Sequence, residues 1–322
     1  MNINEFGNEI IKKTDGKVDS IYFVACGGSL VDMYVSKYFL EAESSKISTG
    51  LYPANEFDHV VPKKLGKKSI VFVCSHSGST PESVNAAKIA QEHGAFTVGL
   101  TYNPKADLLK YSDEKIVYEW GNEEEVVNNP MAIMLNLTAM ILNSVEKYAN
   151  LDKMEDGFKL IDTVVSRAID QVHDRTVEFA KKYQNENMFY ILGSGPSFGH
   201  AYGFAICSLM EMQWLNASAI HSGEYFHGPF EVTDKDVPYI VLESQGRTRP
   251  LDERALKFLN KYAGKIEVVD AKELGLDVID DSVSEYFSPV LFYTILSEYR
   301  KQLSIIRQHP LDVRRYMGKV EY

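Results

Sequence analysis

A shift of 168 residues lays this chain over itself. Tyr22-Phe23-Val24-Ala25-Cys26-Gly27-Gly28-Ser29 falls on Tyr190-Ile191-Leu192-Gly193-Ser194-Gly195-Pro196-Ser197, and each is an apolar run that breaks into a glycine turn. Without a gap, the same shift puts Ala54-Asn55-Glu56-Phe57-Asp58-His59 on Ser222-Gly223-Glu224-Tyr225-Phe226-His227, and Gly78 and Thr80 on Gly246 and Thr248. Two copies of one α/β unit are predicted. Short apolar runs such as Ser69 to Cys74, Phe96 to Leu100 and Ile266 to Val269 alternate with helical stretches, the pattern of a parallel sheet covered on both faces. Helical apolar spacing from Met131 to Tyr148, and again from Leu160 to Phe179, predicts a connector with the boundary near Asn150, giving domains 1–150 and 151–322.

The first copy carries a candidate phosphate cradle. The strand ending Val73-Cys74 runs into Ser75-His76-Ser77-Gly78-Ser79-Thr80 and then into a helix opened by Pro81, with an expected apolar face of Val84, Ala87, Lys88 and Gln91. Ser79 or Thr80 can cap that helix. Its free amides, joined by the hydroxyls of Ser75, Ser77 and Thr80, would bind an anion at the carboxyl end of a strand, where ligands of such sheets sit. Ordinary capping explains the loop alone equally well. The second copy has Glu243-Ser244-Gln245-Gly246-Arg247-Thr248 in its place, so only the first is built for phosphate.

Composition narrows the setting. The chain has 322 residues, 45% hydrophobic and 25% charged, enough apolar content for two cores. A net charge of -11 argues against nucleic acid or an anionic membrane surface as partner. Cys26, Cys74 and Cys207 are few and odd in number, and Met1-Asn2-Ile3-Asn4-Glu5 lacks the features of a signal peptide, so a cytoplasmic protein is expected. The runs Lys63-Lys64, Lys67-Lys68 and Glu123-Glu124-Glu125 read as solvated loop surface.

With these residues placed, the chain resembles a tandem sugar isomerase (SIS) domain protein. The resemblance rests on Cys26-Gly27-Gly28-Ser29, the Ser75 to Thr80 loop, Glu211, His227-Gly228-Pro229 and Arg315-Tyr316-Met317-Gly318-Lys319, almost the full length. Within that family it is most similar to the bacterial fructosamine 6-phosphate deglycases, through Ile220-His221-Ser222-Gly223-Glu224-Tyr225-Phe226-His227-Gly228-Pro229-Phe230-Glu231 and the ending Arg314 to Tyr322. The resemblance implies two tandem SIS domains, each a doubly wound, flavodoxin-like parallel sheet flanked by helices. It implies phosphate contacts from Ser29, Ser75, Ser77 and Thr80. His76 stands where the more distant isomerase domain of glucosamine-6-phosphate synthase typically has Gln, which keeps the backbone amide and leaves the side-chain contact open. It further implies a catalytic Glu211, a His227 that commonly reaches the site from a neighbouring subunit, and hence at least a homodimer.

The chemistry of such a substrate fits those residues. An Amadori sugar phosphate has a C2 ketone beside a C1 methylene bonded to nitrogen. A carboxylate over C1 takes a proton to give an enaminol, reprotonation at C2 leaves an imine, and water releases glucose 6-phosphate and an amine. No metal or redox cofactor is needed, and no cofactor is expected. Glu211 lies in the apolar stretch Cys207 to Trp214, where a carboxylate has a raised pKa unless paired. Glu43 and His59 occupy the matching positions of the first copy, but only His227 is followed by Gly-Pro. His227 can open the cyclic sugar and shuttle protons. Glu224, which recurs as Glu56, either has a backbone role or orients the amine or a water. Lys319 is placed where related isomerase domains put a lysine that contacts the ring oxygen or forms an imine, with Tyr316, Tyr322, Arg314 and Arg315 expected to dock the tail into a cleft. Arg247 reads as a surface salt bridge, or as a contact to a substrate carboxylate. Two other functions remain in view: an amino-sugar-phosphate isomerase or deaminase, and a sugar-phosphate sensor that needs the cradle but no base.

Overall fold

The computed structural model describes residues 3–120 and 125–321. Met1, Asn2, 121–124 and Tyr322 lie outside the described residues, and with them the expectations for Glu123, Glu124 and the last tyrosine. The chain divides into two compact units, Met1–Phe158 and Lys159–Tyr322.

In the first unit, β1 (Ser20–Ala25), β2 (Ser48–Pro53), β3 (Ser69–Cys74), β4 (Phe96–Thr101) and β5 (Glu114–Val117) form one parallel sheet in the order β2-β1-β3-β4-β5. Its helices are α1 (Ile3–Lys13), α2 (Gly28–Glu43), α3 (Ala54–His59), α4 (Pro81–Glu92) and α5 (Pro130–Glu146). β1 and β3 are buried along their whole length, which is why their sequences are near-continuous apolar runs rather than alternating ones. Phe23 and Phe72, paired in register, stack at 5.6 Å. The strand order reverses between β1 and β3, so the loops leaving them open the crevice in which ligands of such sheets bind.

α4 follows the cradle loop as expected, but its buried face is Ser83, Ala86, Ala87 and Ala90. Of the expected face Ala87 is buried and Val84 packs part-buried against the core, whereas Lys88 and Gln91 are exposed. Small side chains let this helix lie close against the sheet, a preference that apolar spacing alone does not reveal. α5 begins at Pro130, its N-cap Asn129 accepting a hydrogen bond from the Ala132 amide at 2.8 Å, and is buried on most sides.

In the second unit, β6 (Met188–Gly193), β7 (Asn216–His221), β8 (Pro238–Glu243) and β9 (Lys265–Asp270) form a parallel sheet in the order β7-β6-β8-β9, the first four places of the same topology. α6 (Leu151–Tyr183) spans the division between the units, followed by α7 (Phe198–Gly203), α8 (Arg249–Tyr262) and α9 (Ser284–Arg307). The repeat of 168 holds for β1 with β6 and β2 with β7, whereas β3 with β8 and β4 with β9 stand 169 apart. Because Gly78 and Gly246 keep the offset of 168, the second copy is one residue shorter between strand end and loop glycine. The duplication is therefore not free of gaps at the loop that matters most.

Candidate active site

The first crevice is open. At the β1 to α2 turn, Gly27 has φ +55, and a methyl group placed on it would meet no heavy atom of the described residues within 4 Å. Ser29, in the first turn of α2, is part-exposed. Across the crevice the Ser75 hydroxyl, almost wholly buried, lies 3.0 Å from that of Thr80 and accepts the Gly78 amide at 3.1 Å. The Ser77 hydroxyl accepts the amide and hydroxyl of Ser79 at 3.3 and 3.0 Å. Gly78 is required here, since its φ is +67 and a Cβ would sit 2.1 Å from that of Ala106. Thr80 occupies the N-cap of α4 but makes no side-chain cap bond, so its hydroxyl faces Ser75 instead of closing the helix. The structure thus brings Ser75, Ser77 and Thr80 into one loop at a helix N-terminus, beside the turn that carries Ser29.

His76 is held by aromatic rings. It stacks on Tyr102 at 4.6 Å, meets the edge of Trp120 at 4.7 Å, and its Nδ1 lies 3.1 Å from the hydroxyl of buried Tyr118. Burial lowers its pKa, favouring the neutral ring. Asp32, one turn beyond Ser29, escaped sequence reasoning. Burial pushes its carboxyl up to about 7. The same packing raises the Cys74 thiol through burial and the Asp32 charge, partly offset by a hydrogen bond with Ser29. A lone acid among the apolar residues of Gly28 to Phe39 was the available signal.

The matching crevice of the second unit is filled. A Cβ on Gly195, the counterpart of Gly27, would lie 2.4 Å from the Thr248 hydroxyl. Ser197, the counterpart of Ser29, is fully buried. The Arg247 amide donates to Glu285 of α9 at 3.1 Å, and the Ser244 amide and hydroxyl donate to buried Asp252 at 3.2 and 3.0 Å. Internal carboxylates thus take the donors that an anion would need, and Arg247 is a salt bridge to Glu285.

Glu211 ends a π-helical segment, Phe204–Glu211, that continues α7 where the first unit has the regular helix α2. Such widened turns are frequent at functional sites and leave no clear sequence signature. Its carboxylate is part-exposed and paired, with the Arg314 guanidinium at 2.7 Å. His227 and Glu224 are exposed on the turn after β7, which is anchored by Tyr225, fully buried with its hydroxyl 2.6 Å from that of Thr233. Buried Phe57 anchors Glu56 and His59 in the same way in the first unit. Gly228, at φ +126, takes the chain from His227 into Pro229. No hydrogen bond or ion pair among the described residues joins Glu211 to His227 or Lys319.

Of the residues expected to dock the tail, the two arginines make contacts and Tyr316 does not. Tyr316 is 63% exposed and Lys319 lies in an exposed turn closed by its amide on the Tyr316 carbonyl at 2.8 Å. Arg314 and Arg315 dock as expected, because their guanidinium groups find Glu211 and the Trp214 ring, the latter at 4.5 Å.

Residues 17–144 match the SIS domain family. The chain is 41% identical to the fructosamine deglycase FrlB of Bacillus subtilis (strain 168), covering 99% of this chain and 98% of that one. It is 24% identical to the fructoselysine 6-phosphate deglycase of Escherichia coli (strain K12), covering 98% and 89%. A Salmonella typhimurium crystal structure described as a phosphosugar isomerase superposes with a TM-score of 0.97 at 44% identity, over 100% of this chain and 98% of that one.

Proposed function

The chain belongs to the fructosamine deglycase family of SIS-domain proteins, and from that premise we propose that it cleaves a fructosamine 6-phosphate, such as fructoselysine 6-phosphate, with water to glucose 6-phosphate and a free amine. The observation that carries this reading is the asymmetry of the two crevices, one open and lined with hydroxyls, the other closed by Glu285 and Asp252. A single phosphate per chain is what a C6-phosphorylated sugar requires. Ser29, Ser75, Ser77 and Thr80 hold that phosphate, with free amides of the α2 and α4 N-termini adding their dipoles. His76, packed among Tyr102, Tyr118 and Trp120, shapes the loop and offers its amide.

Glu211 removes the C1 proton. The enaminol is reprotonated at C2, and water hydrolyses the C1 imine, with His227 opening the ring and relaying protons. A well-placed general base contributes on the order of 10² to 10⁴ in rate. Exposed His227 serves the site of a neighbouring subunit in a homo-oligomer, Lys319 meets the ring oxygen and Glu224 orients the amine or a water. None of the described helices is long and apolar enough to cross a membrane. Incubation with fructoselysine 6-phosphate, assaying glucose 6-phosphate and lysine, tests the proposal. Tight binding without release of either product would make the protein a sensor, and turnover of glucosamine 6-phosphate alone would make it an amino-sugar-phosphate enzyme.

A further inference from the structure

The segment that follows α9 does more than end the chain. The His309 carbonyl accepts the Gln213 side-chain amide at 2.9 Å and the Ser304 hydroxyl at 2.8 Å, and the His309 ring meets Trp214 edge-on at 4.6 Å. Arg315 lies over the other feature of Trp214 available to a cation, its ring, with the guanidinium carbon 4.5 Å from the centroid. Trp214 itself is in the left-handed region at φ +55, where the chain leaves the π-helical segment and turns into β7. A strap is thereby fastened across the end of that segment, three residues beyond Glu211.

Between the two fastenings sits Arg314. One of its terminal nitrogens donates to the carbonyls of Leu311 and Val313 at 2.6 and 3.1 Å, so the guanidinium is set by the strap's own backbone. The other terminal nitrogen meets Glu211 at 2.7 Å. Arg300 of α9 is the second cation close enough to act on Glu211; its pKa is lowered by burial, and its Nε is buried without a hydrogen-bond partner. Both guanidinium groups bear on one carboxylate.

We propose that Arg314 is a positioning residue for the base: the strap holds its guanidinium so that Glu211 keeps one carboxylate oxygen engaged and the other directed for proton transfer. This rests on Glu211 being the base. A planar fork held at three points fixes the rotamer of a glutamate, whose three side-chain torsions otherwise leave the carboxylate poorly placed, and misplacement by about 1 Å costs on the order of 10² in rate. Burial of the strap alone would not need the arginine: Trp214, His309 and Gln213 already fasten it.

The test compares Arg314→Gln, Arg314→Lys, Glu211→Gln and the Arg314→Gln/Glu211→Gln double variant in the full-length protein, with fructoselysine 6-phosphate as substrate and glucose 6-phosphate as a binding probe. Arg314→Gln should lower kcat by ~10- to 100-fold while KM and the Kd for glucose 6-phosphate stay within about threefold. Arg314→Lys should fall in between, and free guanidinium at millimolar concentration should restore part of the turnover of Arg314→Gln. The double variant should be no slower than Glu211→Gln, because without the base there is nothing to position. Wild-type kcat in Arg314→Gln, or losses that multiply in the double variant, would overturn the proposal. If Arg314→Gln does not fold, Arg314→Lys decides, since unchanged kcat there with intact folding removes the need for the planar guanidinium. A Glu211→Gln protein with wild-type turnover would instead remove the assignment of the base, a separate failure.

Discussion

Glu285 of α9 accepts a hydrogen bond from the backbone amide of Arg247 at 3.1 Å and another from its side-chain Nε at 2.7 Å. One carboxylate thus satisfies both the loop and the cation at the second crevice. Glu285 is almost wholly buried whereas the Arg247 side chain is 57% exposed, so the pair contributes far less than a buried bridge. Replacing Glu285 with Ala should lower stability by ~1 to 3 kcal/mol through the unpaired amide and the cavity, read as a shift in the urea midpoint, and leave KM nearly unchanged.

Phosphate recognition should reside in the first unit alone. Thr80→Ala or Ser77→Ala should raise KM, each lost hydrogen bond to a charged group being worth ~1.5 to 3 kcal/mol, or roughly 10- to 100-fold. Thr248→Ala, at the matching position of the closed crevice, should change KM less than twofold or so. Equal effects at the two loops would remove the asymmetry from the argument.

Glu211→Gln preserves shape and hydrogen bonding but cannot accept the C1 proton. Its loss should appear in kcat, by ~10² to 10⁴, with binding retained. Substrate deuterated at C1 should show a primary isotope effect in the wild type if abstraction limits the rate, and turnover in deuterium oxide should place deuterium at C2 of the product.

His227 projects from an exposed turn, so its partner site is expected on another subunit. Mixing inactive Glu211→Gln with inactive His227→Ala under conditions that exchange subunits should restore part of the activity, because some mixed dimers hold one intact site. Proven exchange with no recovery would refute sharing.

Asp32 should make stability depend on pH. Its carboxyl is raised from 3.8 to about 7 by burial, so the folded state binds more protons than the unfolded one between those values. The contribution is fully present below about pH 4 and is lost as pH rises through 7. Asp32→Asn, which cannot ionise, should therefore gain on the wild type over that window, by ~1 to 3 kcal/mol at pH 8 and by nothing further above it. Denaturation midpoints of both proteins at pH 4 and pH 8 give the comparison, and an equal difference at the two values would show that Asp32 does not titrate there.

Much of the architecture was legible because it is written in local chemistry. The apolar runs of β1 and β3 read as strands of a covered parallel sheet, and the glycine turns after β1 and β6 announced the duplication through identical spacing. The seryl loop before Pro81 announced a helix N-terminus, whereas the demand for glycine at position 78 came from its φ and the approach of Ala106. What depends on neighbours far along the chain was not legible. The buried face of α4 was decided by how closely the helix approaches the sheet, and the one-residue shortening before Gly246 by the strand register. The closing of the second crevice needed Glu285, 38 residues beyond Arg247, and the holding of Glu211 needed Arg314 on a strap reached only after β7, β8, β9 and α9. Strand and turn follow from backbone sterics and side-chain apolarity within a few residues, whereas which carboxylate meets which cation is fixed only when packing brings distant segments within hydrogen-bond reach.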